Sequence, residues 1–257
     1  MNAAADLRRI QSYMRVAAPR GRDHMKIGPF LATFNRDTDN PYLNYAIPDD
    51  DAAPSHADID ALADAYRRRD RKPRLEYIPS VAPAVEPALL ASGFAVEYRT
   101  PLMIYRGSPP TVVTPPEIEL VAPVTEEDFR GAATVQWEAY EERGSLTQQA
   151  IDSLRRTVEA GGIVVLAREA ATNEPTGAGL CTGAHDCTTE LAAVGVRKAF
   201  RRRGIALAMA QWLTQQALAR GIDNVFLMAE GEAEERIYAR AGFETVSEVL
   251  HISVTTA

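Results

Sequence analysis

Hydrophobic and polar positions in the second half of the chain change repeatedly between helical and strand periods. The pattern predicts a strand at 117–121, helices from 126 to about Arg143 and at 147–159, strands at 163–168, 177–182 and 190–196, a helix at 203–220, a strand at 224–229, a helix at 231–241 and a closing strand region at 243–254. Thr125 precedes three acidic residues, which is typical of a helix start. The order βααβββαβαβ predicts a mixed α/β domain.

The first half repeats the later part of this pattern. A helix at 58–70, a strand at 74–78 and a helix at 84–92 end at Gly93-Phe94, followed by an extended segment at 95–105. In the second half the matching helix ends at Gly242-Phe243. Glycine is the usual helix stop, so two Gly-Phe pairs alone prove little. The matched element order favours two copies of one fold in tandem.

A proline-rich segment separates the two halves. Residues 108–117 contain four prolines in ten positions, and proline favours extended backbone without a donor. We therefore expect a first domain at 1–108, a linker at 109–116 and a second domain at 117–257.

Composition and charge narrow the function classes. Cys181 and Cys187 are the only cysteines, and four histidines lie scattered, so we expect no metal site. No apolar run is long enough to span a membrane and no secretion signal is visible, which favours a cytoplasmic protein without a membrane partner. Residues 1–115 carry 15 basic against 14 acidic residues (+1), and residues 116–257 carry 13 against 21 (−8). The acidic half argues against nucleic acid and fits an amine ligand, although acidity equally serves solubility.

A basic loop between a strand and a helix is the most informative stretch. In Arg201-x-x-Gly204-x-Ala206, small residues stand where backbone N–H groups at a helix start can approach a ligand. The positive end of the helix dipole and three arginines, Arg201, Arg202 and Arg203, suit a pyrophosphate. The alternative is a solvated basic cluster at a helix entry.

With these motifs the sequence resembles the GNAT superfamily of acyl-CoA-dependent N-acyltransferases. The loop begins five residues after Val196, and Tyr238 stands just before Gly242-Phe243, as in that family. The resemblance covers residues 117–257, whereas over 1–106 only the region 74–94 echoes it.

The resemblance implies a GNAT-like acyltransferase fold and roles for individual residues. Val194, Gly195 and Val196 would offer backbone groups to the pantetheine arm of acetyl-CoA, the co-substrate. Arg201, Arg202, Arg203, Gly204, Ile205 and Ala206 would hold its pyrophosphate. Tyr238 would protonate the departing thiolate; its alternative interpretation is an ordinary buried tyrosine.

The attacking amine must also lose a proton. Strand alternation predicts that Glu190 shares a face with Ala192, Val194 and Val196, and histone acetyltransferases of the superfamily carry a glutamate base at this offset. A solvated carboxylate at a strand start is the alternative, and His185 in the preceding turn is a second candidate base.

Two departures from the family pattern stand out. The family often has an asparagine where this chain has Gly231. In the first half, the place of the basic loop is taken by residues 48–54, with three adjacent aspartates that would repel pyrophosphate. We expect that copy not to bind CoA, and to buttress the active half or supply a wall of the acceptor site.

The sequence therefore predicts an N-acetyltransferase that moves an acetyl group from acetyl-CoA to a primary amine, with Tyr238 as acid and Glu190 as base. A non-catalytic acyl-CoA-binding sensor or interaction module is the alternative. The acceptor is left open between a small molecule, as in two-copy enzymes of mycothiol synthesis, and a peptide. A homodimer also stays open.

Overall fold

The structure is a computed structural model that describes residues 3–140 and 144–255. Its contacts divide the chain into two compact units, one made of Met1–Leu102 with Thr245–Ala257 and the other of Met103–Glu244. Both dividing points fall inside long strands. The domain boundaries expected at 108 and 117 stay a prediction, while the contacts group the end of the last strand with the first unit.

The first unit begins with a helix and three short strands that the sequence pattern did not predict. Its elements are α1 (Ala3–Ala17), β1 (Asp23–Ile27), β2 (Phe30–Phe34), β3 (Ala46–Pro48), α2 (His56–Arg67), β4 (Arg74–Tyr77), α3 (Val85–Ala91) and β5 (Phe94–Tyr105), the last of which continues into the second unit. Strands β1, β2 and β3 pair antiparallel, and β3 runs parallel to β4. The elements from α2 onward match the predicted ones closely.

The second unit has the predicted element order. It contains β6 (Ile118–Val121), α4 (Glu126–Ala139), α5 (Gln148–Glu159), β7 (Ile163–Glu169), β8 (Pro175–Cys181), β9 (Thr188–Val196), α6 (Ile205–Ala219), β10 (Asn224–Met228), α7 (Glu232–Ala241) and β11 (Phe243–Val254), which ends in the first unit. Strands β6 to β9 are antiparallel neighbours, and β10 joins β9 in parallel. The mixed α/β fold class is confirmed. The predicted helix end near Arg143 lies outside the described residues.

Local chemistry explains where the helices begin. At α4 the Thr125 hydroxyl accepts from the Asp128 amide at 3.2 Å, and the Asp128 carboxylate accepts from the Thr125 amide at 2.9 Å. This reciprocal capping box satisfies amides that a helix start leaves unpaired. Ser55 and Asp58 form the same arrangement at α2. Both copies thus begin a core helix with the same device.

The core of the second unit lies on both faces of its sheet. On one face, α6 buries Ile205, Met209 and Leu213 against β7, β8 and β9. On the other face, α4 and α5 bury a separate cluster that includes Phe129 and Ile151. Trp212 of α6 is only partly buried against the same cluster.

The two units share an order of elements. The first reads αβββαβαβ up to β5, and the second reads βααβββαβαβ up to β11. From the helix before the three-strand run onward the orders agree, and each copy reaches a Gly-Phe pair before its last strand. A duplicated fold accounts for this agreement.

A membrane-spanning helix is not found in the part of the chain that the structure describes, because no helix there is both long and apolar enough.

A buried arginine organises the polar interior of the first unit. The Arg74 side chain is fully buried and donates to Glu76 and, at 2.8 Å, to Glu97. It also lies 2.9 Å from Nδ1 of His251, which belongs to the β11 segment of this unit. Because a buried charge without partners is costly, this network ties β4, β5 and β11 together.

We expect Arg74→Met to lower the free energy of unfolding of the first unit by roughly 3–5 kcal/mol, since Glu76 and Glu97 would lose their buried partner. Arg36→Met is the control: Arg36 pairs with Asp23 on the surface, and its loss should leave the free energy of unfolding nearly unchanged. Urea unfolding followed by circular dichroism measures both. Equal stabilities of the two variants would contradict the central place of Arg74.

Candidate active site

Strands β9 and β10 separate partway along their length. Their parallel pairing runs from Asn224–Thr188 to Phe226–Glu190, whereas β9 continues to Val196 and β10 to Met228. We call the opening beyond the Phe226–Glu190 pair the fork. A fork between parallel strands leaves backbone groups on β9 facing a gap rather than a neighbouring strand.

A β-bulge in β9 lies at the fork. Leu180 of β8 is opposite Ala192 and Ala178 is opposite Gly195, so β9 has one extra residue there. Ala193 takes a left-handed φ of 53°, which is unfavourable for a residue with a Cβ. The extra residue bends the strand and breaks its alternation.

The bulge corrects the predicted face of Glu190. Residues directly opposite in antiparallel strands share a face, so Ala192 and Gly195 lie on the α4 side with Leu180 and Ala178. Val194 and Val196 instead pack against the α6 cluster. Glu190 therefore shares a face with Ala192 but not with Val194 or Val196. The period-two argument was wrong because it assumed an unbroken strand.

The start of α6 lies next to the fork. Gly204 is the N-cap residue with φ of 85°, a conformation that glycine adopts without strain, and no side chain caps the helix. The first N–H groups of α6 are thus left for water or a ligand. Arg202 also takes a positive φ, of 62°. The loop therefore has the strained backbone typical of a site that holds a ligand.

A cavity of about 700 Å³ joins the fork to the α6 start. The predicted cofactor-binding residues that line it are Val194, Gly195, Val196, Arg201, Arg202, Gly204, Ile205 and Ala206. Thus the structure brings together eight of the nine predicted positions on one cavity wall.

Two of the three arginines are engaged with the protein itself. Arg201 donates to the Val196 carbonyl at 3.0 Å and lies 3.5 Å from the Ala139 carbonyl. Arg203 lies over the Phe200 ring and donates to the Ala199 carbonyl, outside the described cavity lining. Arg202 lines the cavity and remains the arginine most available to an anionic ligand.

Tyr238 is half-buried on α7, where it packs against the α6 core cluster; its neighbour Ile237 lines the cavity, and Tyr238 is not among the described lining residues. Its ring packs edge-on to Phe243, with centroids 6.1 Å apart. Burial raises the pKa of the Tyr238 hydroxyl, and the charge of Glu234 raises it further. The hydroxyl is therefore protonated at neutral pH, the state that a proton donor requires.

The two candidate bases lie at different distances from the fork along the chain. Glu190 is half-buried in β9 at the last β9–β10 pair, where the strands begin to separate. His185 lies in the hairpin turn before β9, where its amide donates to the Thr188 carbonyl at 3.0 Å and its carbonyl accepts from the Thr188 amide at 2.9 Å. Neither belongs to the described lining of the cavity, but Glu190 marks the beginning of the fork.

Sequence reasoning missed several residues of the cavity wall. Tyr140 and Ala139 reach it from the end of α4, and Arg240 and Ile237 reach it from α7. Burial and the charges of Glu234 and Glu230 raise the pKa of Tyr140 to about 12. Helical spacing could have placed Ile237 and Arg240 on one face of α7, whereas nothing local in the sequence places Tyr140 against Gly195.

The matching place in the first unit is filled by its own side chains. The fully buried Gln11 of α1 accepts from the Ile78 amide at 2.9 Å and points its own amide to the Pro48 carbonyl at 3.5 Å. Its amide thus bridges the ends of β3 and β4, the counterparts of β9 and β10.

The three aspartates that follow β3 are paired with cations of the same unit. Asp50 pairs with Arg15 at 2.7 Å and Asp51 with Arg8 at 2.8 Å, while Asp49 contacts Lys26. These pairs occupy the place where the second unit has its basic loop. A pyrophosphate there would have to displace carboxylates from their partners.

Groups of three or more side chains able to hold a metal ion are not found among the residues that the structure describes.

Comparison with known proteins agrees with this geometry. Residues 125–243 match the profile of the "Acetyltransferase (GNAT) family". No curated protein matches the chain.

Solved structures show the same fold. A GCN5-related N-acetyltransferase from Kribbella flavida is 23% identical with a TM-score of 0.80, over 98% of this chain and 96% of that one. One from Sphaerobacter thermophilus is 20% identical with a TM-score of 0.60, over 90% and 82%. A tandem GNAT protein from the clavulanic acid biosynthesis pathway is 15% identical with a TM-score of 0.62, over 89% and 79%. Residues 125–243 thus carry the sequence of the acetyltransferase (GNAT) family, and the chain has the fold of GNAT proteins.

Proposed function

We propose that the second unit is an N-acetyltransferase that transfers an acetyl group from acetyl-CoA to a primary amine. The observation that carries this proposal is the cavity that joins the β9–β10 fork to the uncapped start of α6. The open backbone groups of the fork suit an extended arm that carries amides. The uncapped start of α6 suits a pyrophosphate.

The residues present fit this co-substrate. At the α6 start, Gly204 leaves open space where a side chain would stand, because a Cβ built there meets only Pro115 at 3.9 Å. The N–H groups of the first helical turn and the guanidinium of Arg202 would hold the pyrophosphate. Backbone groups of Val194, Gly195 and Val196 would hold the pantetheine arm. Acetyl-CoA supplies the activated acetyl group.

Tyr238 would supply the proton to the departing sulfur. Tyr238 follows the cavity-lining Ile237 on α7. This neighbourhood and the raised pKa of its hydroxyl support the role, because the hydroxyl keeps its proton through neutral and mildly alkaline pH. A tyrosine that only fills the core would need neither the motif position nor the neighbouring cavity.

Glu190 would accept the proton of the amine, directly or through water. Strand alternation does not support this role of Glu190, because Val194 and Val196 point to the other side of β9. Its support is its place at the last β9–β10 pair, close to where an acetyl group at the end of the fork would lie. The acceptor would be an amine on a small molecule or a peptide.

A non-catalytic acyl-CoA sensor is the alternative function, because it would need the cavity but no proton donor. The tests below separate the two.

Isothermal titration with acetyl-CoA is the first test, and we expect micromolar binding by the wild type. Gly204→Asp should weaken binding about 100-fold, because the new carboxylate would compete with pyrophosphate for the α6 N–H groups and repel it. Gly221→Asp is the matched control, since Gly221 has a similar φ of 76° at the other end of α6. If the wild type binds no acetyl-CoA, both the enzyme and the sensor proposal are wrong.

Tyr238→Phe should lower kcat at least about 100-fold while the Kd for acetyl-CoA changes less than about twofold. Because the Tyr238 pKa is raised, the wild-type kcat should not fall through loss of this proton below about pH 10. Thiol release measured against pH, with a panel of amines, gives both values. Loss of acetyl-CoA binding in the variant would show a structural tyrosine instead, and no turnover with any amine would favour the sensor.

Glu190→Gln should lower kcat/KM for the amine about 100-fold near pH 7, since the isosteric amide cannot accept a proton. The loss should shrink as pH rises, because more of the amine is then already deprotonated. Glu159→Gln, at an exposed position at the end of α5, is the control. A pH-independent loss would show that Glu190 is not the base.

A further inference from the structure

The last turn of α4, residues 136–139, contacts the bulged part of β9 at several points. Resting on the proposed function, we propose that this turn holds β9 in its forked conformation, and that Gln136 is a positioning residue for the acetyl-CoA site. Gln136 acts through the backbone of β9 and not on the reacting atoms.

The first contact is a hydrogen bond to the bulge itself. The Gln136 Nε2 group donates to the Ala193 carbonyl at 3.1 Å in a partly buried position. Ala193 has the left-handed φ that turns β9 out of register. A conformation that is unfavourable for alanine persists only where neighbouring contacts favour it, and this hydrogen bond is such a contact.

The second contact is close packing two residues further along. A Cβ on Gly195 would lie 2.7 Å from the Ala139 Cβ, so only glycine lets β9 approach α4 this closely. The bulge turns Gly195 to this side of the sheet while its neighbours Val194 and Val196 face α6. Helix α4 thus fits the bulged register and no other, because a regular strand would present valine here.

The third contact lies directly after the C-terminal end of β9. The Arg197 guanidinium donates to both carboxylate oxygens of Glu138, at 2.6 and 3.2 Å, and to Glu174 at 2.8 Å. A bidentate arginine–carboxylate pair sets orientation as well as distance. The bulge is therefore held on α4 from Ala193 to Arg197, and one short turn, Lys198–Phe200, separates this segment from the basic loop.

Gln136 suits the position because it is a neutral donor of the right length. Methionine has similar volume and no donor, and glutamate places a negative charge against the Ala193 carbonyl. These two variants form a graded series. Gln215 provides the matched control, since its Nε2 donates to the Pro110 carbonyl at 3.2 Å, also in a partly buried position, on α6.

The experiment compares Gln136→Met, Gln136→Glu and Gln215→Met with the wild type. Isothermal titration measures the Kd for acetyl-CoA, thermal unfolding measures Tm, and amide hydrogen exchange of the unliganded protein measures the opening of β9. We expect Gln136→Met to raise the Kd about tenfold, because the variant lacks the hydrogen bond to the Ala193 carbonyl that holds β9 in its forked conformation. Gln136→Glu should raise it more. Exchange should become faster in β9, and Gln215→Met should leave both quantities unchanged.

An unchanged Kd in both Gln136 variants would overturn the proposal. So would a fall in Tm with faster exchange throughout the second unit, since Gln136 would then be merely structural. If the wild type itself binds no acetyl-CoA, the proposed function fails and hydrogen exchange alone decides the inference. Faster exchange confined to β9 would then support the inference that α4 holds β9 in its forked conformation. Unchanged exchange would overturn that inference.

Discussion

The bulge at Ala193 is the constraint on which the site depends. One extra residue in β9 turns Val194 and Val196 toward α6 and Gly195 toward α4. The pairing with β10 ends at Glu190, just before the bulge, and a bulged strand bends locally. The left-handed alanine is strained, and the contacts of α4 with Ala193 and Gly195 favour this backbone conformation.

The two copies differ in what occupies corresponding places of one fold. In the first unit, Gln11 bridges the ends of β3 and β4, and Asp50 and Asp51 pair with Arg15 and Arg8 where the second unit has its basic loop. In the first unit the protein's own side chains pair with these groups, whereas no side chain caps the start of α6 in the second unit. The fold alone therefore does not decide the activity.

The sequence predicted the element order of the second unit and its basic loop, because amphipathic periods, caps and glycine stops are local signals. It could not predict the bulge, since Ala193 is not a glycine and the run 190–196 reads as a regular strand. For this reason the predicted face of Glu190 was wrong. Tyr140 and Gln136 were missed because their contacts with β9 depend on how α4 packs on the sheet. Strand β1 was missed because none of its side chains is buried, so burial imposes no alternation of apolar and polar positions on its sequence.

The net charge of the second half differs from the charges around the cavity. The second half carries a net charge of −8, yet the cavity is lined by Arg202 and Arg240 as well as by Glu230 and Glu234. Because salt screens charges beyond about 8 Å in physiological solution, distant carboxylates contribute little to the potential at the α6 start. The uncapped N–H groups of α6 and the guanidinium of Arg202 supply positive charge there. An acidic domain can therefore bind a pyrophosphate, and its net charge bears on bulk partners such as nucleic acid rather than on this cavity.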